Sequence, residues 1–229
     1  MTMDKTHQAG LLAIGLGFVA GYVDTVGFVA LFGLFTAHVT GNFVLIGSVL
    51  ARSSGSVLLK LLVFPAFIAA VAATRVIQLW LERRGRTPLC PLLLLQTALL
   101  GGFMLLGWWA TPIASPEAPL VLWAGILGAT AMGVQNAAAR LVLASQAPTT
   151  VMTGNVTQLV IDAVDWMRGA GDDALKQRFS KFLWPIAAFG GGAIAGAFAY
   201  VFSGFAALWL PMLVLASLAW LNWPQPASA

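Results

Sequence analysis

The sequence predicts an all-α polytopic membrane protein, with six transmembrane helices arranged as two inverted three-span repeats. Three observations support this prediction: an apolar composition, six long apolar runs, and a Thr-Gly-Asn triplet that recurs once in each half. Of the 229 residues, 59% are hydrophobic and only 9% are charged. The mean hydropathy is +0.88. Soluble domains carry roughly 25% charged residues, so this composition is typical of a chain whose solvent is lipid.

Six apolar runs reach the roughly 20 residues that a helix needs to cross a bilayer. They occupy residues 10–34, 57–81, 89–110, 118–143, 180–203 and 205–222. Two shorter apolar segments, 36–52 and 148–167, lie between these runs, and each contains a Thr-Gly-Asn triplet. The first run is longer than the roughly 7–15 apolar residues of a signal peptide, so we expect it to remain as an uncleaved span.

The basic residues indicate whether the two shorter segments cross the membrane, because short cytoplasmic loops collect Lys and Arg. If both segments re-enter and the N-terminus lies inside, ten of the 12 Lys and Arg residues are cytoplasmic. Only Arg52 and Lys60 then lie outside. If both segments cross, the same residues divide seven to five. The sequence therefore predicts two re-entrant segments, with both termini in the cytoplasm.

An internal repeat relates the two halves of the chain. "GYVDTVGFVAL" (21–31) aligns with "GVQNAAARLVL" (133–143), and "TAHVTGN" (36–42) aligns with "TTVMTGN" (149–155). We therefore divide the chain into two repeats, which are residues 1–110 and 111–229. Because each repeat has three crossings, an odd number, the second must lie upside down relative to the first. Inverted repeats of this kind are the plan of many transporters.

The two triplets predict a solute site near the membrane midplane. Backbone that leaves a helix inside a bilayer survives only when it is buried in protein or lines a wet cavity. Glycine permits a sharp turn, and asparagine is a favoured N-cap, so we expect short helices over 43–51 and 156–167. Their positive N-terminal ends would face the centre and suit a small polar or anionic solute. The predicted solute-binding residues are Thr40, Gly41, Asn42, Thr153, Gly154 and Asn155, with Asp24, Gln135, Asn136 and Gln158 beside them.

Two ionisable residues are candidates for proton coupling. Asp24 lies roughly 21 Å into the first span at ~1.5 Å per residue, and an embedded carboxylate indicates function unless it only ties helices together. Arg140 either pairs with Asp24 or extends toward the membrane surface. His38 stands two residues before Thr40, where it either carries protons or only hydrogen-bonds within its loop.

Spacing on the second short helix places four polar residues on one stripe, because they are three, four and three residues apart. Of these, Asn155 and Gln158 are expected to line the solute path, whereas Asp162 and Asp165 are expected at a solvated helix end.

Small residues also recur with GxxxG spacing, at Gly17/Gly21 and at Gly192/Gly196. This spacing predicts close helix packing, either within the chain or as a seam between two copies of it.

Several other classes of function are excluded. A net charge of +4, scattered along the chain, does not favour nucleic-acid binding. The one cysteine, Cys90, excludes an internal disulfide and leaves no metal-ligand spacing. The sequence contains no Ser/His/Asp set, zinc motif, P-loop or CxxC. We therefore expect no enzyme activity, no cofactor and no metal, and we expect the lipid bilayer and a small solute as partners.

The stretches "GYVDTVGFVALFGLFTAHVTGN" and "MGVQNAAARLVLASQAPTTVMTGNVTQLVID" resemble the YoaK-like family of bacterial membrane proteins, a domain of unknown function. The resemblance covers nearly the whole chain and implies a bacterial inner-membrane location. It implies no functional residues.

The residues therefore favour transport, either by a secondary transporter or by a channel. A protein that does not transport is the third alternative. A secondary transporter would rock its two halves around the midplane site. A channel with aquaporin-like logic would use the same half-helices as a fixed constriction. A scaffold or partner-binding subunit would use the triplets only to shape the bundle.

Overall fold

The computed structural model describes residues 5–52, 55–169 and 171–223. These residues form eight α-helices and one 3-10 helix. The α-helices are α1 (Lys5–Ala30), α2 (Gly41–Ala51), α3 (Leu58–Arg83), α4 (Leu89–Trp109), α5 (Pro119–Leu141), α6 (Met152–Met167), α7 (Asp173–Ser203) and α8 (Trp209–Leu221), and the 3-10 helix is Gly204–Leu208. The all-helical prediction is confirmed for this part of the chain.

Five stretches of the described residues are long and apolar enough to cross a membrane. They are Gln8–Ala30, Leu58–Arg83, Leu89–Trp109, Pro119–Leu141 and a 49-residue stretch, Asp173–Leu221. Four coincide with predicted spans, and the fifth contains both predicted spans 180–203 and 205–222. Neither α2 nor α6 is among the five, in agreement with the prediction that the Thr-Gly-Asn segments are not ordinary spans.

Helices α1 and α5 form the centre of the bundle, because their apolar windows are 67% and 61% buried. The two helices run in opposite directions. Near the end of α1, Leu31 and Leu34 contact Gly125 at the start of α5, whereas the Gln135 side chain near the end of α5 donates to the Leu16 carbonyl at 2.8 Å.

Each central helix packs against an outer helix that runs in its own direction. Gly17 and Gly21 of α1 lie against the Pro185 and Phe189 carbonyls of α7. In the same manner, Gly125 and Gly133 of α5 lie against Leu59 and Ala70 of α3. The pairs α1–α7 and α5–α3 are therefore built alike, and α4 and α8 cover them on the sides.

The chain reverses between α7 and α8. Gly204 lies at φ 58°, in the left-handed region that glycine adopts easily, and the 3-10 helix follows at once. Tyr22 of α1 donates to the Ala207 carbonyl, and Gln8 donates to the Leu221 carbonyl. Because α1 numbers rise while α8 numbers fall between these contacts, α8 returns toward the end of the bundle where α1 begins.

Helices α2 and α6 leave and rejoin the bundle without crossing it. After α1 ends, α3 begins beside that same end, since Lys60 donates to the Phe32 carbonyl at 2.8 Å. After α5 ends, the start of α7 shares a cavity with Ser145 and Gln146, and residues 9–14 of α1 line that cavity as well. The two excursions therefore lie at opposite ends of the bundle.

The GxxxG faces predicted from sequence pack against each other within the chain. A Cβ at Gly192 or Gly196 of α7 would collide with the Phe18 or Tyr22 carbonyl of α1, and a Cβ at Gly21 would collide with the Phe189 carbonyl. The two backbones touch at this point, as small-xxx-small faces allow. The GxxxG spacing is therefore used for packing inside one molecule.

Large apolar side chains cover much of the outer surface. Val76 is 66% exposed, Phe202 is 84% exposed and Trp220 is 76% exposed. Soluble monomers rarely expose contiguous apolar patches of more than a few hundred Å². Together with the apolar spans, this surface indicates a protein that is solvated by lipid.

We predict that Gly192→Leu destabilises the fold strongly, because its side chain has no room between the backbones of α1 and α7. Overpacking a tight core costs about 1–3 kcal/mol or more. The melting temperature and the size-exclusion profile of purified protein would measure the effect.

Gly190→Leu is the matched control, since nothing lies within 4 Å of a Cβ at Gly190 in the same glycine triplet. Equal melting temperatures for the two variants would contradict the packing of α1 on α7.

Candidate functional site

The candidate site is built around two segments that lack regular helix, residues 31–40 before α2 and residues 142–151 before α6. We call them the first and second unwound segments. Each is tied to a buried polar side chain of the central helix that precedes it.

Asp24 holds the first unwound segment. This residue is 4% exposed, and its Oδ1 accepts hydrogen bonds from the Thr36 and Ala37 backbone amides, both at 2.7 Å. Its Oδ2 lies 2.8 Å from Nδ1 of His38. The carboxylate therefore replaces helical backbone acceptors for amides that have left the helix, which is a structural role that the embedded position alone did not reveal.

His38 completes this arrangement from a half-exposed position. Its side chain is 38% exposed, and its ring meets the rings of Phe35 and Phe189 edge-on, with centroids 6.2 and 5.6 Å away. When Nδ1 donates to Asp24, the second ring nitrogen is left to take or give a proton. Both predicted proton-coupling residues thus lie in one pair. The structure pairs Asp24 with His38, a partner that the sequence did not suggest, and the pairing of Asp24 with Arg140 that was considered does not occur.

Asn42 closes the first unwound segment on itself. Its Oδ1 accepts from the Phe35 amide at 3.0 Å, and its Nδ2 donates to the Phe35 carbonyl at 2.8 Å. One amide side chain thereby satisfies both backbone groups of a residue outside any helix. Gly41 lies directly under the Phe35 ring, where a Cβ would be 3.0 Å from the ring edge.

The second unwound segment is tied by the two residues that follow Val134. Gln135, 1% exposed, donates to Thr149 Oγ1 at 3.1 Å and accepts from Gln96 at 2.7 Å. Asn136 donates to Thr150 Oγ1 at 2.8 Å. Asn136 and Thr150 are 14 residues apart, as are Asp24 and His38.

Asn155 repeats the role of Asn42. It donates to the Pro148 carbonyl at 2.6 Å, seven residues before it, and Asn42 likewise bonds a residue seven positions before it. Proline has no amide hydrogen, so only the donor half of the asparagine amide is used here.

The predicted N-cap role of these two asparagines is wrong. Thr40 and Val151 occupy the N-cap positions of α2 and α6, and neither makes a side-chain cap bond. Asn42 and Asn155 lie inside the first turn, and their side chains are directed back to the unwound segments. Sequence reasoning placed them one position outside the helix, because a buried asparagine can serve a distant peptide group as well as its own helix end.

The two unwound segments contact the central helices at different levels. Thr36 contacts Gly27 of α1, whereas Thr149 meets Gln135, which bonds Leu16. Gly27 and Leu16 are about 16 Å apart along α1 at roughly 1.5 Å per residue. None of the hydrogen bonds among the described residues joins one triplet to the other. Thr40, Thr153 and Gly154 are exposed.

Gln158 belongs to a polar tie between α6 and α7. It donates to Asp162 at 2.8 Å, and Arg178 bonds the same carboxylate through Nε and Nη2 at 2.9 and 2.8 Å. The Asp162 side chain is completely buried, so its predicted place at a solvated helix end is wrong. The hydrogen bond from the Arg178 guanidinium lowers the pKa of the Asp162 carboxyl below its ordinary value.

Two cavities lie at the end of the bundle where α1 begins and α5 ends. The smaller, about 190 Å³, is called here the inner cavity; its polar lining residues are Asn136, Arg140, Gln146 and Thr150. The larger, about 870 Å³, is called the vestibule and lies between α1 and the start of α7. Gln146 lines both.

Sequence reasoning missed the threonines that take part in these bonds: Thr36 donates to Asp24, whereas Thr149 and Thr150 accept from Gln135 and Asn136. Thr36, Thr149 and Thr150 are 0–2% exposed, and the first two are paired by the internal repeat. Recurrence of a polar residue at matched positions of two unwound segments was the signal that could have identified them.

We predict that Asp24→Ala loosens the first unwound segment, because the buried amides of Thr36 and Ala37 lose their acceptor. Each unsatisfied group costs about 1–3 kcal/mol. A single cysteine replacing exposed Thr40, in a Cys90→Ser background, should then react faster with a thiol reagent and the melting temperature should fall.

Asn136→Ala, which removes one hydrogen bond at the matched position, is the control and should leave labelling at position 40 unchanged. If Asp24→Ala does not change that labelling either, Asp24 does not anchor the segment.

Comparison with known proteins identifies one family model that matches the chain. No curated protein and no solved structure matches the chain. Residues 12–221 match the model of a family described as protein of unknown function (DUF1275). This match covers both unwound segments and the side chains that tie them, and the family is the one that the two Thr-Gly-Asn stretches indicate. The chain therefore belongs to the DUF1275 family.

Proposed function

We propose that this protein is a secondary transporter that moves a small polar or anionic solute between its two unwound segments. The observation that carries the proposal is the repeated pattern of ties. In each half, a polar residue of the central helix binds a residue 14 positions later, and an asparagine binds a carbonyl seven positions earlier. A bundle that needed only structural breaks would not require the same break twice.

The halves are two inverted three-span repeats in this proposal. Support comes from the opposite directions of α1 and α5, and from the parallel pairs α1–α7 and α5–α3. The two excursions, through α2 and α6, lie at opposite ends of the bundle. With the basic residues inside, both termini and α6 lie on the cytoplasmic side of a bacterial inner membrane.

A difference between the two ends supports alternating access. The inner cavity and the vestibule open at the end that carries the cytoplasmic basic residues. At the other end, Phe28 packs on Phe35 with centroids 4.9 Å apart, and Phe35 lies beside His38. Aromatic side chains thus occupy the space beside Asp24 that stays open beside Asn136. In our proposal this is a state open to the cytoplasm.

The Asp24–His38 pair is the proposed proton-coupling site. Solute movement would expose or cover His38, whose side chain is now 38% exposed, and so change where its proton is exchanged. The solute itself would pass Thr40, Gly41 and Asn42 at one level, and Thr153, Gly154 and Asn155 at the other.

The topology in this proposal predicts the labelling of two cysteine variants in a Cys90→Ser background. Ala51→Cys, at the end of α2, should react with a membrane-impermeant thiol reagent on intact cells. Met167→Cys, at the end of α6, should react only after the cells are opened. Neither substitution changes a charge, so the distribution of basic residues is preserved. Labelling of both residues, or of neither, on intact cells would contradict opposite re-entrant ends.

Transport itself predicts uptake by proteoliposomes of at least one radiolabelled probe among succinate, glycine and phosphate. Ala144→Trp should abolish that uptake, because Ala144 lines the inner cavity and a tryptophan ring would fill it. His38→Gln should uncouple uptake from an imposed pH gradient, since glutamine can donate to Asp24 but does not take up or release a proton near neutral pH.

Gly190→Trp is the control for bulk, since position 190 faces open space on α7. Uptake that is absent from the wild type, or that survives Ala144→Trp, would contradict transport by this path and favour a scaffold. Uptake that continues downhill without any response to a pH gradient, in the wild type itself, would favour a channel.

A further inference from the structure

The inner cavity contains a cation that the ties described above do not use. Arg140 lies on α5 one turn after Asn136, and its guanidinium makes no ion pair or hydrogen bond with any described residue. An arginine fork carries five donors and no acceptor. Its side chain is exposed and lines the inner cavity.

The other polar groups in the cavity can also donate. Thr150 Oγ1 accepts from Asn136, so the hydroxyl proton of Thr150 is left for another acceptor. Gln146 brings a side-chain amide to the border between cavity and vestibule. A cluster of donors with one positive charge fits a ligand that is rich in acceptors and negatively charged.

The vestibule that leads to the inner cavity also carries positive charge. Lys176 and Lys181 line the vestibule, and none of the described residues that line either cavity is acidic. Lys176 has an exposed partner, Asp173, at 3.4 Å, so Lys181 is the stronger contributor. Clefts lined by one sign of charge raise the local concentration of the opposite ion.

The size of the cavity limits the ligand. Its volume of about 190 Å³ is below the roughly 300–1,000 Å³ of pockets for drug-sized ligands. A few carbon and oxygen atoms fit, and a nucleotide does not. In the aligned half, position 140 corresponds to Phe28, which packs on Phe35, so the arginine site exists at one end only.

We propose that the inner cavity binds a small soluble oxyanion, a carboxylate or phosphate group, with Arg140 as its charge partner and Thr150 and Gln146 as further donors. The anion enters from the vestibule. This inference names the solute class of the proposed transporter. The role of the cavity as an entry site rests on the proposed transport function, whereas binding of the anion can be measured without any flux.

The test uses the full chain in phosphatidylcholine nanodiscs, with sodium succinate and sodium phosphate as probes and choline chloride to match ionic strength. Tryptophan fluorescence reports the melting temperature, which rises with the concentration of a ligand that binds only the folded state. We expect one of the two anions to stabilise the wild type. Arg140→Gln should weaken that binding roughly ten- to hundredfold, and Arg140→Lys should weaken it less. Arg86→Gln, an exposed loop arginine, should bind as the wild type does.

Each other outcome overturns the inference. If neither anion stabilises the wild type, the cavity is no oxyanion site. The same conclusion holds if Arg140→Gln binds the anion as tightly as the wild type does. If only nanodiscs with added phosphatidylglycerol stabilise the protein in an Arg140-dependent way, Arg140 binds lipid headgroups and not a soluble ion. Since Arg140 is exposed, its variants should keep the ligand-free melting temperature; if Arg140→Gln does not, the Arg140→Lys series and Thr150→Val decide by the same criterion.

The result is separable from transport. Arg140-dependent binding without uptake of any probe leaves the site standing and removes the transport function. Uptake of a probe that Arg140→Gln leaves unchanged, together with unchanged binding, removes the site and leaves transport.

Discussion

The fold depends on satisfying the peptide groups of two segments that leave their helices among apolar surroundings. Such groups have no water to bond in a hydrocarbon environment, so every one needs a partner from the protein. Asp24 and Asn42 supply partners for peptide groups of the first segment, and Asn155 supplies one for the Pro148 carbonyl of the second, where Gln135 also donates to the Thr149 hydroxyl. Among the described residues, no buried side-chain nitrogen or oxygen lacks a partner. The breaks are therefore specified as firmly as the helices.

A second constraint, close approach of backbones, keeps these ties in register. Gly21 and Gly192 let α1 and α7 touch, and Gly133 lets α5 approach Phe67 and Ala70 of α3. The contacts lie within about one helical turn of Asp24 and of Asn136. These backbone contacts fix α1 against α7 close to Asp24, whose Oδ1 accepts from the amides of Thr36 and Ala37. Tight packing and polar satisfaction support one another in this bundle, as expected for interiors that are bistable and not continuously deformable.

Much of the architecture could be predicted from the sequence, because long apolar runs and a repeated triplet are direct consequences of a lipid solvent. Such patterns predict the spans of α1, α3, α4 and α5 and the packing of the GxxxG faces. They also predict that Asp24 and Asn136 occupy equivalent positions in the two halves.

The particular partners could not be predicted. An asparagine near a helix start is compatible with capping its own helix or with bonding a peptide seven residues earlier, and only the path of the chain decides between them. Asp162 looked solvated for the same reason, since its partner Arg178 is 16 residues away on another helix. Sequence periodicity indicates which face of its helix a residue occupies. It does not indicate which residue of another helix will contact that face.

The two halves share an arrangement of helices and ties but differ in the side chains beside their unwound segments. These differences say more about function than the shared arrangement does. Where the first half has an acid and a histidine with aromatic rings around them, the second has an asparagine, a threonine and an arginine beside an open cavity. Packing alone would not require this divergence, because Asn136 ties its segment without a charge and without closing the space beside it. A carboxylate–histidine pair at one end and a cavity lined by Arg140 at the other give the two ends of the proposed path different roles. In the proposed transporter, a proton would therefore be exchanged at one end and an anion admitted at the other.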